Sequence, residues 1–120
     1  MTRDITAEQE YEDYLNEQNR INTELPNAKF TISIDYDKLD NVISMQRIIY
    51  ILVTKSCYCY GDNPMDTQIF KITSNNVITN RLVLKELIKK ELVLDCNHSY
   101  VEGFHMLNNN SNIFEIMTGS

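Results

Sequence analysis

Val42-Ile43-Ser44-Met45-Gln46-Arg47-Ile48-Ile49-Tyr50-Ile51-Leu52-Val53-Thr54-Lys55 can be read with two periods, and the choice sets the fold. Val42, Met45, Ile49 and Leu52 recur at spacings of three and four, which is the stripe of an amphipathic helix. Ile48 to Thr54 is also dense in β-branched residues, which lose rotamer freedom in a helix and pack well in a strand. The helical spacing predicts a helix from about Leu39 to near Lys55. A short strand around Cys57 to Tyr60 follows.

Upstream, Phe30-Thr31-Ile32-Ser33-Ile34-Asp35-Tyr36 alternates cleanly. Phe30, Ile32, Ile34 and Tyr36 face one way and the polar residues the other, so this is a strand with one buried face. Before it, Thr6 to Leu25 reads as a helix. Thr6 is the expected N-cap, with Gln9 completing a capping box. Glu8 and Glu10 suit the positive end of the helix dipole. Its apolar stripe, Tyr11, Tyr14, Leu15 and Ile21, is thin. Pro26 and Asn27 end the helix.

Downstream, Gly61-Asp62-Asn63-Pro64 is a turn by composition. Gln68 to Thr73 is a strand, Asn75-Asn76 closes a hairpin, and Val77-Ile78 begins its return. Thr79 caps a helix with an apolar face of Leu82, Leu84, Leu87 and Ile88 and a solvated face of Lys85, Lys89 and Lys90. Leu92 to Asn97, Tyr100 to Leu107 and Ile113 to Thr118 are three further strands. The expected fold is α+β: a mostly antiparallel sheet of five to six strands with two to three helices on one face. Ile32, Ile34, Leu87, Leu94 and Phe104 are expected in its core. An acidic helix over residues 1–26 precedes a single compact domain over 27–120.

A chain of 120 residues buries enough surface for one core without covalent staples. The net charge is −6. Residues 1–25 hold seven carboxylates against Arg3 and Arg20, a net of −5, so the rest of the chain is nearly neutral. This balance argues against nucleic acid, whose binding needs clustered Lys and Arg, and against anionic membranes. The acidic N-terminus lacks an apolar signal-peptide core, and three cysteines leave one unpaired. Both features point to an intracellular location, cytoplasmic or nuclear.

The cysteines carry the one chemical constellation. Cys57 and Cys59 flank Tyr58, and Cys96 and His98 flank Asn97. Residues two apart on a strand share a face, so two neighbouring strands would converge four ligands, enough for one structural zinc. His105 is a reserve ligand. Cys96 also continues the apolar row of Leu92 and Leu94, as a buried free cysteine does. A Cys/His nucleophile pair would need an orienting group, and Asp95 lies on the opposite strand face from His98. Gly61, Gly103 and Gly119 stand alone, so no phosphate-cradling loop can be drawn. Asp62 and Asp66 flank a Pro-containing loop as turn-formers. Tyr50, Tyr58, Tyr60 and Tyr100 fit a half-buried sheet face or a protein contact better than a base-stacking platform.

The expected function is a non-catalytic interaction or assembly module that self-associates, a dimer being the default. Its contact residues are Tyr11, Tyr14, Leu15 and Ile21, because their stripe is too thin to be held by one core alone. The alternatives are a small zinc-stabilised domain on Cys57, Cys59, Cys96 and His98, and a small thiol-dependent enzyme.

Overall fold

A computed structural model describes residues 5–55, 66–94, 100–109 and 112–119. In chain order the elements are α1 (Ile5–Glu24), β1 (Thr31–Ile32), a 3-10 turn (Tyr36–Lys38), β2 (Val42–Ser44), β3 (Ile48–Lys55), β4 (Asp66–Thr73), β5 (Ile78–Thr79), α2 (Asn80–Lys89), β6 (Tyr100–Met106) and β7 (Ile113–Gly119). Five strands form one sheet in the order β1-β6-β7-β3-β4, and β2 and β5 form a second, two-stranded sheet.

The decisive stretch is strand, not helix. β3 lies between β4 and β7 and is paired on both sides. Ile49, Ile51 and Val53 are buried, while Tyr50 and Leu52 on the opposite face are half-buried. A central strand with apolar residues on both faces loses the clean alternation that marks a strand at the surface. The helical stripe was a coincidence of spacing: Val42 is 50% exposed and Met45 77% exposed. Ser44 ends β2, and its buried Oγ accepts the Gln46 amide at 3.0 Å, turning the chain into β3.

The fold is α+β as expected, and its large sheet is mixed, with antiparallel pairing the larger part of its register. β3 pairs antiparallel with β4 and β6 with β7, but β3 pairs parallel with β7 and β1 with β6. The expected hairpin after β4 is absent. Ser74 Oγ accepts the Asn76 amide and donates to the Val77 carbonyl, which makes the turn. Ile78 then leaves β4 and pairs with Ser44 of β2. The alternation of Phe30, Ile32 and Ile34 holds, with all three buried, though only Thr31–Ile32 forms a strand, on β6. The expected strand from Leu92 reduces, among the described residues, to one parallel bridge between Lys29 and Val93. The buried inner sheet face, both α-helices and Leu92 and Leu94 make a single core.

α2 follows its sequence signals closely. Thr79 Oγ1 accepts the Leu82 amide at 3.2 Å, and Val83, Leu84 and Leu87 are buried. Its far end is a Schellman closure: the Glu91 amide donates to the Ile88 carbonyl and the Leu92 amide to the Leu87 carbonyl, each at 3.0 Å. Glu91 holds φ 60° there, a left-handed position that glycine occupies without its side-chain penalty. Glu91→Gly is expected to stabilise the fold by about 0.5–1 kcal/mol, the relieved strain less the entropy of the freer unfolded chain. Urea unfolding checks it, and a loss of stability contradicts it.

Candidate interaction surface

α1 is a single apolar stripe with two environments. Tyr11, Tyr14, Leu15, Gln18, Ile21 and Leu25 fall within about 120° of one another at 100° per residue. Its lower end is seated: Ile21 is fully buried and Leu25 is 2% exposed, both in the common core. Its upper end is not: Tyr11 is 63%, Tyr14 49% and Leu15 42% exposed. Gln18 stands at the crossing, donating from Nε2 to the Ile32 carbonyl at 3.3 Å. The helix therefore outruns the surface that buries it. Ile21, expected among the contact residues, belongs instead to the chain's own core. The expected capping box is also replaced, since α1 begins by Ile5 and the Gln9 side chain donates forward from Nε2 to Asp13 Oδ1 at 2.9 Å.

A polar cluster around Tyr36 fixes the seated end. The Tyr36 amide donates to Glu17 Oε1 at 2.6 Å, and its hydroxyl donates to Glu24. The Arg20 guanidinium lies 4.1 Å above the Tyr36 ring, a cation–π contact. Arg81 bonds Glu24 through Nη1 and Asp40 through Nε, the latter at 2.9 Å. Sequence reading missed this cluster, yet a signal existed. Glu24 sits in the last turn of α1 and Arg81 in the first turn of α2, each at the end its charge does not suit. Each supplies the other's counter-charge. Arg81 is only 21% exposed, so Arg81→Ala is expected to cost about 1–2 kcal/mol, less than a buried charged bond because Asp40 is largely solvated. Thermal unfolding should show a lower midpoint, and an unchanged one would mean the cluster holds nothing.

Beside this cluster an open groove of about 650 Å³ runs between α1 and the 3-10 turn, with Asp13, Glu17, Asp35 and Asp37 set against Arg20. On the sheet, His105 Nε2 lies 3.9 Å from Glu115 Oε1, with both side chains more than 40% exposed. At that distance and exposure it is a weak surface pair. Cys57, Cys59, Cys96 and His98 lie outside the described residues, as do Tyr58 and Tyr60. His105, the reserve ligand, has no metal-ligating cluster around it among the described residues. Tyr50 is half-buried and Tyr100 is 39% exposed, on different strands. No helix among the described residues is long and apolar enough to cross a membrane.

Compared with known proteins, the chain matches no family model, no curated protein and no solved structure significantly. The class the fold defines is therefore a small α+β domain carrying a half-seated acidic helix.

Proposed function

We propose that the chain is a non-catalytic interaction module that self-associates as a dimer through the upper half of α1. The supporting observation is the exposure of Tyr11, Tyr14 and Leu15 on the same stripe whose lower half is buried. Solvated helix faces carry polar residues at such positions. A stripe continuing beyond its own core is the pattern of a helix completed by a second surface.

Magnitudes set what that surface must be. Burying the three half-exposed side chains gains about 0.8–1.5 kcal/mol each, taken as roughly half the value for full burial. A two-fold dimer makes the contact twice. Association costs about 4–15 kcal/mol, so the stripe needs an apolar partner surface of its own size or larger. The test is the solution mass of the full chain beside that of Leu15→Lys, whose stability as a monomer the exposed site leaves unchanged.

A further inference from the structure

We infer that the surface receiving α1 is the outer face of the five-stranded sheet on a second copy of this chain, so that two chains exchange arms about a two-fold axis. The inference rests on the self-association just proposed and names its receiving half. Strand register defines that face. Leu52 pairs with Ile69 on one side and Glu115 on the other, while Tyr50 pairs with Lys71 and Ile113. Residues facing across neighbouring strands share a side of the sheet. The opposite side, with Ile49, Ile51, Phe114 and Ile116, is the buried core. The outer side keeps Ile69 64%, Met117 44% and Ile48 43% exposed, and no described helix covers it. A sheet apolar on both faces is built to lie between two layers, and this chain supplies one.

Charge selects the occupant. Every ionisable side chain described on the exposed part of α1, Glu8, Glu10, Glu12 and Asp13 among them, is an acid or a tyrosine. Packing two such arms against each other sets carboxylate against carboxylate, which is destabilising. The outer sheet face carries both signs: Glu115 lies on its β7 side, 3.9 Å from His105, while its β4 side presents Lys71, exposed beside Ile69 and in no ion pair among the described residues. A second copy thus offers the arm both an apolar bed and a cation. Reciprocal exchange closes the assembly at two chains and leaves no open end.

The experiment uses full-length chains carrying Leu15→Lys or Ile69→Glu, each measured alone and then mixed in equal amounts by sedimentation equilibrium. Both sites are exposed, so circular dichroism should show both variants folded. The expected result is that each variant alone has the mass of one chain and the mixture that of two. In the mixed pair one contact is native, and the other sets the introduced lysine of one chain against the introduced glutamate of its partner. If Ile69→Glu alone remains dimeric while Leu15→Lys does not, self-association stands and the sheet face is overturned as its receiver. If both variants are monomers and mixing restores nothing, exchange is likewise overturned. If the unmodified chain is monomeric, the underlying self-association fails first.

Discussion

Leu87→Ala is expected to lower the unfolding free energy by about 2–5 kcal/mol. Leu87 is fully buried at the centre of the α2 face, beside Val83 and Leu84. Its carbonyl also accepts the Leu92 amide that closes the helix, and Leu92 is itself 2% exposed. Truncation removes apolar contact and leaves a cavity that the backbone closure prevents from collapsing. Domains of this size are stable by only about 5–15 kcal/mol, so the loss is a large share of the total. Urea unfolding with an unchanged slope is the measurement. A loss below about 1 kcal/mol would mean that α2 does not close the core.

That residue was legible because α2 carries independent signals that agree: a Thr79 cap, an apolar face, and Lys89 at the negative end. Ile32 and Ile34 were legible for a similar reason, since one side of their segment faces the core and the other faces water. β3 was not. Its apolar residues serve the core on one face and a half-covered outer face on the other, so period two vanishes and Val42 and Met45 complete a false helical stripe. The partner of a strand is likewise invisible in its own residues. Nothing in Val77-Ile78 says that the chain turns away from β4 to meet Ser44. Phe104, expected in the core, is only half-buried on β6. The α1 stripe was visible, but its division between seated and projecting halves depends on where the rest of the fold ends. Ile21 could not be told from Leu15 by sequence.

That division also decides how the arm must be tested. Removing residues 1–25 would take Ile21 and Leu25 out of the core and Glu24 from Arg81, so loss of assembly could not be separated from loss of fold. Leu15→Lys avoids this. The site is 42% exposed and one turn above Gln18, where α1 leaves its own domain. Exposed substitutions away from core contacts usually change stability by no more than about 0.5 kcal/mol. Within a dimer the same change buries a charge in an apolar contact, which costs several kcal/mol and occurs twice.

The most direct measurement is the mass of the full chain by sedimentation equilibrium over a range of concentrations, with Leu15→Lys beside it. The prediction is twice the 14.0 kDa chain mass for the unmodified protein, and a single-chain mass with an unchanged melting temperature for the variant. An unmodified chain that stays at 14.0 kDa at every concentration would contradict the account.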